Sequence, residues 1–507
     1  MSPPQPPFEL SDQELKQFDS IIDGKPITAK SNARFNVIDP GTGQTWATCP
    51  DCREEDVDAA VQSSHAAFQI LSKWTPRQRA QTLLKWHNLI IAARDDLAKI
   101  LVHETGKPLS EAYGEIDYAT TFTWWFVGEA ERVHGTSIVA STPGRRGVTI
   151  KQPLGVCAGL VPWNFPIALS LRKAGAALAA GCTMVVKPSP ETPISAIAVA
   201  ILAQRAGFPP GALNVLTTSL EGTPGLAKEL CLHPLVKKVT FTGSTRVGKI
   251  ISPLCASQLK KCTMELGGNC PFLVFDDADL EHALAQLMAL KWRHAGQACV
   301  TANRVYIHRK VYDKFVEMVL QGSSKLKMGH GMTEGSILGP VTTPQSLDRA
   351  EQMVEDAVAK GAKMITGSGK RAQSDDATSG GYFMAPTIVK DVTDDMRMSQ
   401  EEIFAPVLGL SVFDSEDEVV QRANNTSMGL TSYVFTKNVD RLWRMFERLE
   451  AGMIGLVSQS IQHLLRSHAN MLDRTLGTTR QQRYPLVASR RVALGRKVAK
   501  TSRLRNS

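Results

Sequence analysis

No stretch of this chain is apolar for the 18 or so residues that a bilayer-spanning helix needs, which excludes a conventional helical membrane span. The opening residues, M-S-P-P-Q-P-P-F-E-L-S-D, lack the positive start and apolar centre of a secretory signal. They also lack the arginine-rich, acid-poor character of a mitochondrial presequence, so the expected location is the cytoplasm. G-x-G-x-x-G occurs nowhere, so the ordinary dinucleotide-binding fingerprint is missing. Internal repeats are missing too. Nine cysteines, an odd number without a secretory signal, argue for reduced thiols rather than a disulfide framework. Cys49-Pro50-Asp51-Cys52 is a single C-x-x-C with no second pair and no suitably spaced histidine pair. A zinc or redox site therefore gives way to a turn with two incidental cysteines, and no metal is expected.

Acidic residues are scarce in one region only. From Val457 to Ser507 there are eleven Lys/Arg and one acid, Asp473, a net of +10. The other 456 residues carry 47 basic and 48 acidic groups, a net of −1, so the overall +9 belongs to the tail. Such a tail can address nucleic acid or an anionic membrane, or mark an unfolded segment. Tyr484 is its only aromatic, too little for base stacking. The tail is read as aberrant and disordered, with neither nucleic acid nor membrane as partner.

What is present is a long soluble chain. At 507 residues, 43% hydrophobic and 21% charged, it is expected to fold as two to three domains. Residues 33–48 read as short strands around Pro40-Gly41. Helices are expected from Glu55, over Arg77 to His103, and from Ser110 to Val133. S-I-V-A-S-T-P-G-R-R-G-V-T-I then reads as a hairpin. From Gly155, strands alternate with helices as far as V-K-K-V-T-F, which implies β-α-β units in a doubly wound sheet. A second α/β series runs from about Pro271 to Leu456.

Four places carry chemistry. K-W-R-H-A-G-Q-A-C-V-T-A-N-R-V, 291–305, sets Cys299 among small residues, and M-E-L-G-G-N, 264–269, sets Glu265 beside two glycines. Together they read as nucleophile and base. G-S-T-R-V-G-K, 243–249, nearly spells a phosphate-binding loop, but Ile250 replaces the hydroxyl that would hold magnesium. A pyrophosphate without magnesium still suits this strand-to-helix junction; so does a plain turn. Lys187 likewise follows a strand, where ligands meet α/β sheets, or is a surface lysine.

P-W-N-F-P at 162–166, K-P-S-P-E-T-P at 187–193, F-T-G-S-T-R-V-G at 241–248, M-E-L-G-G-N, G-Q-A-C at 296–299 and E-E-I-F-A-P at 401–406 stand in the order of the aldehyde dehydrogenase superfamily. The chain resembles that family over about residues 20 to 456. The resemblance implies an α/β fold with a doubly wound NAD(P)-binding domain (1–133 and 153–269), an oligomerisation hairpin (134–152) and an α/β catalytic domain (270–456). It implies Cys299 as the nucleophile on the aldehyde carbonyl, Glu265 as the base for the hydrolytic water, and Asn164 with the Cys299 N–H as the oxyanion hole. Trp163, Lys187, Ser189, Gly243, Ser244, Gly248, Leu266, Glu402 and Phe404 would bind the cofactor, and a homotetramer is the family's assembly. Ala405 replaces the glycine of the family's E-x-F-G-P.

Arg172 and Arg293 match positions where the succinate-semialdehyde dehydrogenase branch carries substrate-binding arginines. Paired guanidinium groups suit capture of a carboxylate, so the expected reaction is NAD(P)-dependent oxidation of succinate semialdehyde to succinate, in 4-aminobutyrate breakdown. The alternative for the two arginines is a pair of surface salt bridges. Pro190 stands where NAD-restricted relatives carry a glutamate, which favours NADP over NAD. Thr301 stands where some relatives have a second cysteine, so no disulfide switch is expected. Beyond G-M-I-G-L the family's Asn, substrate-tunnel loop, P-F-G-G-x-K-x-S-G motif and final strand are missing, with Val457 at the Asn position. The expectation is an unpaired sheet edge, weak activity and poor assembly. A non-catalytic chain whose tail serves interaction is the rival reading.

Overall fold

The structure is a computed structural model that describes residues 6–374, 380–457 and 487–489. Two α/β units make up the chain. In the first, strands run in the spatial order Lys261–Glu265, Val236–Thr242, Val156–Leu160, Thr183–Lys187, Leu213–Val215, all mutually parallel. Ser20–Ile22 and Lys25–Ile27 add an antiparallel edge. V-C-A-G-L and T-M-V-V-K are buried at all five positions, as a parallel sheet covered by helices on both faces requires. The chain winds first to one side of Val156–Leu160 and later to the other. Its switch point therefore lies between Val156–Leu160 and Val236–Thr242, where the carboxyl ends of the strands open a crevice.

The second unit is an eight-stranded sheet. Its six central strands are parallel, in the order Thr387–Lys390, Val407–Phe413, Ala302–His308, Cys270–Val274, Thr431–Phe435, Met453–Val457. Lys363–Thr366 closes one edge antiparallel. At the other edge, expected to be open, Val487–Ser489 pairs antiparallel with Met453, Ile454 and Gly455. Backbone pairing needs no sequence motif, only an extended segment within reach, which is why the reading of the tail missed it. The remainder of the expected tail, 458–486 and 490–507, lies outside the described residues.

The hairpin Thr136–Val139/Arg146–Thr149 forms its own two-stranded sheet and exposes Val139, Val148 and Ile150. One expectation fails locally. The helix over Arg77 to His103 is two helices, Pro76–Ala92 and Arg94–Thr105, broken at Ala93 (φ −88°, ψ 12°). The apolar periodicity continues across the break. Just past the break, the Asp96 carboxylate accepts the N–H groups of Ser11 and Asp12 at 2.9 and 2.8 Å and ties the N-terminal segment to the first turn of the second helix. Cys49 and Cys52 are both buried; burial pushes their thiols up, that of Cys52 to about 12, so neither is poised as a thiolate. Cys49 belongs to the strand Gln44–Pro50 rather than to a turn.

Candidate active site

Cys299 sits on the connection from helix Leu280–Lys291 to strand Ala302–His308. That connection is strained. His294 (φ 49°) and Ala295 (φ 52°) hold left-handed backbone before Gly296 (φ 76°), a conformation that costs non-glycine residues of order 1 kcal/mol or more each. Surrounding contacts hold it. The His294 N–H donates to Glu111 Oε2 at 2.6 Å, Gln297 donates to His294 O through both its backbone N and its Nε2 at 3.0 Å, and the Thr342 N–H donates to Gln297 Oε1 at 2.9 Å. At Gly296 a Cβ would lie 2.4 Å from Ala405 O, so only glycine passes there.

Across from this loop, strand Lys261–Glu265 delivers Glu265 and then the glycine pair. A Cβ on Gly268 would fall 2.2 Å from Cys299 O, and one on Gly267 would fall 2.5 Å from Glu402 Oε2. The glycines thus let the backbone touch both the Cys299 carbonyl and the Glu402 carboxylate. Cys270 Sγ donates to Cys299 O at 3.4 Å, and the Tyr433 hydroxyl donates to Val300 O at 2.8 Å. Burial pushes the Cys299 thiol up to about 11, helped by the charges of Glu402 and Glu265; Arg172 and the residue's own N–H pull it down. Burial also lifts Glu402 to about 7, against the Gly268 N–H that donates to it at 3.1 Å. The expected nucleophile and base therefore share one electrostatic environment.

Asn164 is buried in the turn between strand Val156–Leu160 and helix Pro166–Ala179, and its Nδ2 donates to Gln297 O at 3.0 Å, two residues before Cys299. Its carbonyl accepts from Lys107 Nζ at 2.9 Å. Lys107 also pairs with Glu115, both side chains essentially inaccessible, and Glu115 accepts the Ile167 and Ala168 N–H groups at 3.0 and 3.2 Å. Sequence analysis singled out neither Lys107 nor Glu115. It also missed Glu111, lifted to about 7 by burial, and Lys173, whose Nζ donates to Thr240 and Thr242 at 3.0 and 2.7 Å. Burial lowers Lys173 to about 8, with Glu265 opposing. No local motif marks these groups; only burial does.

Arg172 is half-buried, donates to the Tyr118 hydroxyl at 2.8 Å and stacks its guanidinium 4.6 Å from the Phe122 ring centroid. Arg293 is exposed, 4.7 Å from the Phe165 ring. Neither has a carboxylate partner within 4.0 Å among the described residues, so the salt-bridge alternative does not describe them.

Several of the remaining predicted residues stand at or just beyond the strand ends that flank the switch point. Leu160 pairs with Lys187 on one side and Phe241 on the other, so Trp163, Lys187 and Gly243 follow neighbouring strand ends. The Gly243 N–H donates to Glu265 O at 3.0 Å, and Ser244 caps helix Thr245–Ser257 by accepting from the Val247 N–H at 3.3 Å. A Cβ on Gly248 would lie 2.6 Å from Leu266 Cδ2, so this glycine seats Leu266. Lys187 is buried, lowered to about 8 by burial with Glu191 opposing, and its Nζ has no hydrogen-bond partner among the described residues. Ser189 donates to Glu191. Trp163 and Phe404 (φ 55°) meet edge to face at 5.5 Å. A buried amine without a partner beside a helix N-terminus and a glycine-lined crevice fits the ribose and pyrophosphate of a dinucleotide.

Residues 27–466 match the model of the aldehyde dehydrogenase family. The chain belongs to the aldehyde dehydrogenase family. This aldehyde dehydrogenase is 44% identical to succinate-semialdehyde dehydrogenase [NADP(+)] 1 of Schizosaccharomyces pombe, over 92% of its own length and 93% of the relative's. It is 40% identical to 3-sulfolactaldehyde dehydrogenase of Pseudomonas putida, over 93% and 95%. The crystal structure of succinate-semialdehyde dehydrogenase from Burkholderia pseudomallei superposes with a TM-score of 0.86 at 42% identity, covering 89% of this aldehyde dehydrogenase and 92% of that chain. Among the described residues no helix is long and apolar enough to cross a membrane.

Proposed function

We propose that this aldehyde dehydrogenase oxidises succinate semialdehyde to succinate with NADP+. The observation that carries the substrate is two guanidinium groups without a carboxylate partner among the described residues, Arg172, whose charge reaches the Cys299 thiol, and Arg293, on the loop that carries Cys299. An ω-carboxylate can take both without displacing an internal acid. The relatives named above for succinate semialdehyde support the same substrate.

With its thiol near 11, Cys299 is a thiolate in roughly one molecule in a thousand at pH 8, so a base must take its proton as it attacks. Glu265 is the proposed base. Its negative charge raises the thiol's pKa and cannot activate it electrostatically; it acts by accepting the proton. Sulfur then bonds the aldehyde carbon to give a thiohemiacetal, whose oxyanion the Asn164 amide and the Cys299 N–H stabilise. NADP+, when bound, supplies the hydride acceptor that leaves a thioester on Cys299. Glu265 gives the first proton up to solvent, then draws one from the water that displaces the thioester and returns it to the leaving thiolate, releasing succinate and the thiol.

Lys187 and Ser189 are the proposed adenosine-ribose contacts, Gly243 and Ser244 those of the pyrophosphate, and Glu402 and Phe404 those of the nicotinamide ribose. Pro190 leaves the 2′-phosphate unopposed, and Glu191 is engaged by Ser189. The exposed hairpin at 136–149 is the proposed surface for assembly with further copies.

The test is NADPH formation by the purified full chain from succinate semialdehyde, sulfolactaldehyde and butanal, with NADP+ and NAD+ compared. The proposal expects succinate semialdehyde and NADP+ to give the highest kcat/KM. A preference for sulfolactaldehyde supports the second reading, a sulfonate in place of the carboxylate, which the P. putida relative makes specific. No turnover of any aldehyde, with normal NADP+ binding, would favour the non-catalytic reading.

A further inference from the structure

Away from the reacting centre, three donor side chains meet that the proposed chemistry does not use. Asp39 ends strand Arg34–Asp39, His103 lies in the last turn of helix Arg94–Thr105, and His330 comes from a loop of the second unit. One donor atom from each lies within 4.8 Å of the other two. Nearly 300 residues of sequence separate Asp39 from His330, yet His330 Nε2 is 2.9 Å from Asp39 Oδ2. Asp39 and His103 are buried.

We propose that Asp39, His103 and His330 form a site for a divalent transition-metal ion of the zinc class. Two imidazoles, borderline nitrogen donors, with one carboxylate suit such an ion and not magnesium or calcium, which take oxygen ligands throughout. The outer contacts orient them. His103 Nδ1 lies 2.9 Å from the Lys99 carbonyl, so it carries the proton and leaves Nε2 to ligate; a carbonyl on the far nitrogen is the partner metal-bound imidazoles commonly have. Asp39 Oδ1 accepts the Gly41 N–H at 2.8 Å, which aims Oδ2 at His330. A Cβ on Gly41 would lie 2.1 Å from His330 Cδ2, so glycine lets that ring approach.

Loading moves one proton within His330. The Met332 N–H donates to Nδ1 at 3.1 Å, so Nε2 carries the proton that faces Asp39. With the ion on Nε2 that proton leaves and Nδ1 takes one up, at the cost of the hydrogen bond from the Met332 N–H. Three protein ligands leave a position for a water molecule. The ion would staple the two units together four residues before Lys107, which holds the Asn164 carbonyl.

The experiment is a Co2+ titration of the EDTA-stripped full chain followed by its visible absorption, with displacement by Zn2+, and the same for His103→Gln and His330→Gln. The expected result is one Co2+ per chain without a thiolate-to-cobalt band, displaced by Zn2+ and not by Mg2+, and weakened at least tenfold in each variant. A thiolate band, undiminished binding in both variants, or no stoichiometric binding by the wild type would overturn the proposal. Should a variant fail to fold, the wild-type spectrum decides, because thiolate and histidine–carboxylate ligation absorb differently.

Discussion

Lys107→Met tests whether the oxyanion donor is held from behind. The ammonium is buried between the Glu115 carboxylate and the Asn164 carbonyl, and Glu115 in turn accepts the Ile167 and Ala168 N–H groups. Methionine fills the same volume but removes the charge. Glu115 is left as an uncompensated buried anion, which costs roughly 3–5 kcal/mol. At about 2–4 °C per kcal/mol for a unit of this size, Tm should fall by roughly 6–20 °C. Below the melting range kcat should drop on the order of 100-fold, because Asn164 loses its main-chain anchor and a displacement of about 1 Å at a positioning group costs that much. Lys107→Met/Glu115→Gln separates the two effects. The amide introduced by Glu115→Gln keeps an acceptor for the helix N–H groups and removes the orphaned charge, so most of the Tm should return while kcat stays low. Calorimetry and initial-rate kinetics on the three proteins make the measurement. A Tm loss that persists in the double variant, or a kcat equal to wild type in Lys107→Met, would refute the reasoning.

Arg172→Gln and Arg293→Gln should each lower kcat/KM for succinate semialdehyde by roughly 10- to 100-fold, the worth of a charge-assisted contact of about 1.5–3 kcal/mol, and barely affect butanal; equal losses on both aldehydes contradict carboxylate capture. Glu111 is lifted to about 7 in the fold, so the unfolded chain ionises first as pH rises from about 4.5, and stability falls until about pH 7 and then levels. Glu111→Gln, which keeps an acceptor for the His294 N–H, should remove that slope, worth roughly 3 kcal/mol, in Tm-against-pH curves. Gly268→Ala should abolish most activity with a smaller effect on Tm, since its methyl would sit 2.2 Å from Cys299 O; a kcat within twofold of wild type would show that the loop yields freely.

The candidate catalytic residues were legible in order along the chain because the chemistry proposed for them needs particular neighbours. Gly267 and Gly268 let the backbone after Glu265 approach Cys299 and Glu402, and Lys187 and Gly243 stand at or just past neighbouring strand ends, where α/β sheets meet their ligands. The alternation from Gly155 onward likewise prescribed a parallel sheet, since buried strands of this kind need helices on both faces. The break at Ala93 was hidden because helical periodicity continues through it and the contact just past it, Asp96 with Ser11 and Asp12, spans more than 80 residues. The same holds for Lys107 with Glu115, for Glu111 beneath His294, and for Asp39 with His103 and His330. A charge in solution and the same charge sealed between two helices have identical letters. Burial and the partner across the fold set its protonation and its energy, and only the tertiary structure supplies either.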